Sequence, residues 1–156
     1  MKIGTIFIWR DYPHLLMEDE KDIWCVYLGE TEAFYEPVFV LFHKLTGRDY
    51  YYKVGGEREN RRHYKFTTEE YQKLKKDSIF DFEQYNEAVH KSEFEKIKIE
   101  IIQELPNDKV RMIYNNIKEP YCRYEYEIKC RIFECLNNEG IYGLEKPKRK
   151  NIRRPY

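Results

Sequence analysis

The run His43-Lys44-Leu45-Thr46-Gly47-Arg48 places an imidazole, two cations and a hydroxyl within six residues. Those groups can handle a phosphodiester. Cutting RNA without a metal needs a base for the 2′-hydroxyl, cations for the crowded phosphate and an acid for the leaving oxygen. The run continues Val38-Phe39-Val40-Leu41-Phe42, whose β-branched and aromatic residues predict a strand. On a strand His43 and Lys44 point to opposite faces, and only Lys44 shares a face with Thr46. Lys44, Thr46 and Arg48 therefore form the expected phosphate group, with His43 or His63 as the proton-transfer residue. The blander reading is that these are polar residues where a strand leaves the core.

A second set follows at once. Arg58, Arg61, Arg62, His63 and Lys65 crowd the polar stretch Glu57 to Lys65, beside Tyr50, Tyr51, Tyr52 and Tyr64. Cations interleaved with rings suit single-stranded nucleic acid, whose phosphates seek charge and whose bases seek flat surfaces to stack on. Arg58, Arg61 and Arg62 are expected at the backbone, and Tyr51, Tyr52 and Tyr64 under bases. The alternative is a solvated loop offset by Glu57 and Glu59, beside tyrosines divided between core and surface.

Other chemistries find less support. His14, His63 and His90 have no partner at metal-ligand spacing, and the four cysteines (Cys25, Cys122, Cys130, Cys135) match neither a zinc pair nor a secreted disulfide framework. Packing thiols, no metal and no cofactor are expected. The chain lacks GxSxG, Walker A and GxGxxG patterns. Asp77 and Asp81, at even spacing, are expected to share a solvent-facing strand face.

The elements that must position these groups follow from periodicity. Lys2 to Trp9 predicts a strand apolar on both faces; Ile23 to Leu28 predicts a second, closing at Gly29; Val38 to Thr46 predicts a third. Tyr50 to Val54 is read as a fourth strand before Gly55-Gly56, and Thr67 to Tyr71 as a short Thr-capped helix. Lys76 to Phe82 has strand character. Glu93 to Leu105 fits both period two and helical spacing, with strand slightly ahead. Helices are expected from near Pro106 to before Pro120, and from Arg123 to Leu136. Phe7, Trp24, Val26, Phe39, Leu41 and Phe80 should share one core.

With 156 residues, zero formal net charge and 17% aromatic side chains, the chain can build one core without staples. Its longest apolar stretch is far too short to span a bilayer, which takes about 20 residues, and the first residues lack a signal-peptide core, so a cytoplasmic protein without membrane contact is expected. Charge is uneven. Residues 146–156 hold six Lys and Arg and no acid, leaving the rest of the chain at −6. An unstructured tail is expected there, its Lys148, Arg149 and Lys150 serving non-specific nucleic-acid contact, solubility or a dock on an acidic surface.

The order of these features resembles the PemK/MazF-like toxins, which are small SH3-like barrels. Gly4-Thr5-Ile6-Phe7-Ile8 matches that family's first strand, Ile23 to Gly29 the second, Leu45-Thr46 the end of the third, Ser78 to Phe82 a later strand and Leu105-Pro106-Asn107 the turn before a helix. The resemblance implies a metal-independent endoribonuclease on single-stranded RNA, with an antitoxin-like protein partner and a homodimer. It also implies a phosphate-binding Arg before the second strand. Here that position is Lys21, which lacks the planar fork of Arg; Thr46 matches.

The expected fold class is therefore α+β: a small SH3-like β-barrel followed by two helices and a basic tail. Residues 1–118 form the barrel-like domain with one helix, 121–140 the C-terminal helix packed on it, and 146–156 the tail. A non-catalytic module binding nucleic acid or protein on the same barrel is the rival, and a dimerising scaffold using the Tyr-rich stretch a third reading.

Overall fold

The computed structural model describes residues 1–12, 22–32 and 37–150. Lys21, His14 and the last six residues of the basic tail lie outside them.

Strand β1 (Thr5–Trp9) is buried along its whole length, as an apolar pattern on both faces requires. It lies between β2 (Ile23–Glu30) and β7 (Ile99–Glu104), and the chain adds β3 (Phe39–Lys44) and β6 (Glu87–His90) on the far side of β2. The resulting antiparallel sheet has the order β6-β3-β2-β1-β7. A second, two-stranded sheet pairs β4 (His63–Phe66) with β5 (Ser78–Asp81). The sheets meet where β3 runs out: Thr46 and Ile79 exchange backbone hydrogen bonds of 3.1 and 2.8 Å. Strands β6 and β7 remain edges, and no sheet among the described strands closes on itself. The fold is α+β, as expected.

Register fixes the two layers. Phe7 opposes Cys25 and Trp9 opposes Ile23, so Phe7 and Trp9 share one face. There they meet Phe42 and Phe94 with ring centroids 5.7–6.1 Å apart. On the other face Val26 and Leu28 line a small cavity with Val110 and Ile113 of α2 (Asn107–Ile117) and Ile132 and Leu136 of α3 (Tyr126–Asn138). Gly4 permits this close layer, because a Cβ there would sit 2.5 Å from Val110 Cγ2, and its φ of +88° suits glycine. Phe7, Val26, Leu41 and Phe80 share one buried core. Trp24 packs against it only half-buried, and Phe39 lies outside it, opposite His90 at the sheet margin.

Several expectations are corrected. Tyr50 to Val54 is no strand: Asp49–Tyr52 form a 3-10 helix, because Asp49 is tied to Lys53 one turn on and to Lys65 of β4. The end of the polar stretch, His63 to Phe66, pairs as β4. Thr67 caps Glu70, with Glu70 N–H donating to its hydroxyl at 3.2 Å, but Tyr71 and Leu74 turn into the core and no helix propagates. The ambiguous Glu93–Leu105 segment divides, a short α1 (Lys91–Glu95) preceding β7. Strand β6 has no apolar alternation to announce it; pairing with β3 creates it.

The start of the tail is ordered. Glu145 O accepts from the Tyr114 hydroxyl at 2.6 Å, Lys148 N–H donates to Lys118 O at 3.0 Å, and Arg149 stacks 4.4 Å over the Tyr126 ring. Pro147 is buried, and Lys148 Nζ reaches Glu119 at 2.8 Å. Lys148 and Arg149 are thus matched by groups on α3 and on the connection that follows α2. No helix among the described residues is long and apolar enough to cross a membrane. Truncation after Glu145 should lower unfolding free energy by about 1–3 kcal/mol, from one backbone bond, the Arg149 stack and Pro147 burial, the exposed Lys148–Glu119 pair adding little. Urea denaturation measures this; an unchanged midpoint would show that the dock contributes nothing.

Candidate functional site

Strand β5 ends in a carboxylate with no solvent exposure. Asp81 Oδ2 accepts from the Tyr52 hydroxyl at 2.7 Å and from Arg61 Nη1 at 3.0 Å, while Oδ1 accepts from Glu83 N–H at 2.9 Å. A buried carboxylate is tolerable only when paired and hydrogen-bonded in this way. Burial, then the bond to Asp81, pushes the Tyr52 hydroxyl up to about 12, so it remains a donor to the carboxylate. The same hydroxyl accepts from Arg58 Nη1 at 3.2 Å.

Sequence explains why this cluster assembles. The 3-10 helix carries Tyr52 inward, and Gly55-Gly56 turns the chain back beneath it. A Cβ on Gly56 would lie 2.5 Å from the carbonyl oxygens of Tyr50 and Tyr51, so only glycine permits the approach. Arg58 N–H then donates to Tyr51 O at 2.7 Å. His63 opens β4 directly opposite Asp81.

The outcome is a file of planar groups. The rings of Tyr50 and Tyr51 are 4.5 Å apart, Arg58 lies 5.2 Å over Tyr51 and 5.9 Å over Tyr52, and Tyr52 is 4.8 Å from the His63 ring. His63 Nδ1 is 2.8 Å from Arg61 O. A carbonyl only accepts, so Nδ1 carries the proton and the Nε2 lone pair is left for another partner. The set can hold an anion on Arg58 and accept a proton on His63.

The groups at the end of β3 are not brought together. His43 is buried: its Nδ1 takes the Tyr124 hydroxyl at 2.6 Å, its ring stacks on Phe80 at 3.9 Å, and Nε2 has no hydrogen bond. Desolvation pulls its pKa down to about 3, against a smaller pull upward from Asp81. Lys44, on the opposite face, pairs with Glu87 at 3.1 Å. Thr46 Oγ1 accepts from Arg48 N–H at 3.2 Å, and Arg48 is exposed.

The remaining candidates scatter. Arg62 lies 4.2 Å over Tyr121, and Tyr64 donates to Glu70 with Lys109 over its ring. Lys148 and Arg149 sit on the helices, with Lys150 exposed beside them. The structure thus gathers Tyr51, Tyr52, Arg58, Arg61 and His63. Asp81 is the residue that sequence reasoning placed at the surface; a carboxylate between Phe80 and Phe82 was the signal of burial. Asp77, by contrast, stands before β5 in an ion pair with Lys65. All four cysteines are free thiols, and no three His, Cys, Asp or Glu side chains among the described residues gather as a metal could require.

No protein-family model matches the chain, and no curated protein matches it.

The depressed His43 has a consequence for stability. Its folded pKa lies below the ordinary value of about 6.5, so below that pH the unfolded chain binds a proton that the folded chain refuses. The stability that neutral His43 allows is complete above pH ~6.5 and is lost as pH falls toward 3, at up to about 1.4 kcal/mol per pH unit. His43→Gln should be less steep than wild type by that amount between pH ~4 and ~6 in denaturant titrations; parallel curves would show that His43 protonates while folded.

Proposed function

We propose that this protein is an endoribonuclease acting on single-stranded RNA without a metal, like the PemK/MazF-like toxins its sequence resembles. Its reacting phosphate lies beside Arg58, Arg61 and His63. The observation that carries this reading is the bond from His63 Nδ1–H to Arg61 O, which leaves Nε2 as base in a cluster where Arg61 is anchored on Asp81 and Arg58 on Tyr52. In the reaction Nε2 takes the proton of a 2′-hydroxyl, the 2′-oxygen attacks phosphorus, and the bond to the 5′-oxygen breaks. Arg58 meets the charge that develops on the phosphate, and water protonates the leaving oxygen. Arg61, committed to Asp81, holds the carbonyl that orients His63.

The wider reading includes an SH3-like barrel architecture, a cytoplasmic location, an antitoxin-like protein partner and a homodimer. A second reading, a module that binds single-stranded RNA without cutting it, is favoured by one specific observation. His43, Lys44 and Thr46 point to three separate environments and form no common site.

The test is incubation with a mixed single-stranded RNA pool in EDTA. His63→Ala should lower the cleavage rate about 10²–10⁴-fold, and Arg58→Ala about 10²–10³-fold with a smaller loss of binding. Lys44→Ala should cut as wild type does. If Thr46→Ala and Arg48→Ala abolish cleavage while His63→Ala does not, the reacting phosphate belongs at the end of β3. Wild-type protein that binds RNA but never cuts it would establish the module reading.

A further inference from the structure

Four tyrosines near the proposed site offer rings, yet three are spoken for. Tyr52 is buried against Asp81, Tyr51 is covered by the Arg58 guanidinium, and Tyr64 is bracketed by Glu70 and Lys109. Tyr50 differs. It is 57% exposed, and its ring packs 4.5 Å from that of Tyr51. It stands at the open end of the file that runs through Tyr51, Arg58 and Tyr52 to His63.

From this placement we infer that Tyr50 is a stacking platform for an unpaired nucleobase a few nucleotides from the phosphate held at Arg58 and His63. This deepens the proposed function and rests on it.

Charge around the ring suits that occupant. Residues 48–63 carry five Lys and Arg against three carboxylates. Two of the three are engaged: Asp49 by Lys53 and Lys65, and Glu59 by the Gly55 N–H at 2.6 Å. The third, Glu57, and the exposed Arg48 both lie within electrostatic reach of the Tyr50 hydroxyl, and Arg48 is placed to meet the phosphate next to the stacked base. An aromatic face with cations beside it serves any base, because every base has a π-face. A base pair keeps its faces against its own neighbours, so the platform selects single strands.

The test is fluorescence-anisotropy binding in EDTA of a short mixed-sequence 2′-O-methyl RNA, which has no free 2′-hydroxyl to attack. The comparison is wild type against Tyr50→Ala, Tyr50→Trp, Arg48→Ala and Arg58→Ala, with single-stranded DNA and duplex RNA as further arms. Tyr50→Ala should weaken single-strand binding about 5–150-fold without changing the slope of log K against log salt, and Tyr50→Trp should retain affinity. Arg48→Ala should flatten the slope by ~0.7. Equal losses on DNA and RNA would show that the platform reads the base and not the sugar, and a loss on RNA alone that the sugar is read too; either supports it. Duplex affinity should be the same for wild type and Tyr50→Ala. If Tyr50→Ala binds single strands as wild type does while Arg58→Ala binds them weakly, the platform is overturned and the RNA reading stands. Wild-type protein that binds no nucleic acid in any arm overturns both.

Discussion

Asp81 has no water to share its charge, and the fold supplies what water would have given. Its carboxylate takes a hydroxyl, a guanidinium and a backbone amide. Removing one member of such a buried set typically costs about 3–5 kcal/mol, because the remaining charge is left uncompensated. The guanidinium is the member that touches solvent, with the Arg61 side chain about a third exposed. The segment from Gly47 to Arg62 has almost no regular structure, yet it is held at both ends by acids. Asp81 binds Tyr52 and Arg61, and Asp49 binds Lys53 and Lys65. The backbone bond from Arg58 N–H to Tyr51 O closes the segment on itself between those anchors.

Behind the carboxylate lies the reason it can be rigid. Phe80, its neighbour on β5, stacks on His43 of β3, and His43 in turn takes the hydroxyl of Tyr124 just before α3. The chain of contact therefore runs from the helical layer through the large sheet to the small one. The Thr46–Ile79 bridge joins the sheets within two residues of Asp81. His43 is thus a packing and positioning group in this structure. Its neutral form is what allows it to sit against Phe80 without solvent.

Much of the scaffold was legible because its signals were local. β1 and β2 are apolar runs, and α2 and α3 bury residues at helical spacing, such as Val110, Ile113, Tyr114 and Ile117. What escaped was made by tertiary pairing. Glu87–His90 becomes a strand only because β3 offers it an edge, and Asp49–Tyr52 coil because Lys65, sixteen residues away in sequence, holds Asp49. The site divides the same way. Arg58, Arg61 and His63 stood out by type and crowding. Asp81 did not, since even spacing from Asp77 suggested a shared wet face, and the strand begins only at Ser78. Nor could spacing say that His43 looks inward to Tyr124, a residue far along the chain.

The Asp81 charge orders the segment that carries Tyr50, Arg58 and His63. Amide hydrogen exchange of Asp81→Asn against wild type tests it most directly, because the substitution keeps shape and removes charge. In the variant the hydrogen-bonded amides of Tyr51, Gly56, Arg58 and Arg61 should lose protection while those of β1 and β2 keep theirs. Unchanged protection at those four amides would contradict it.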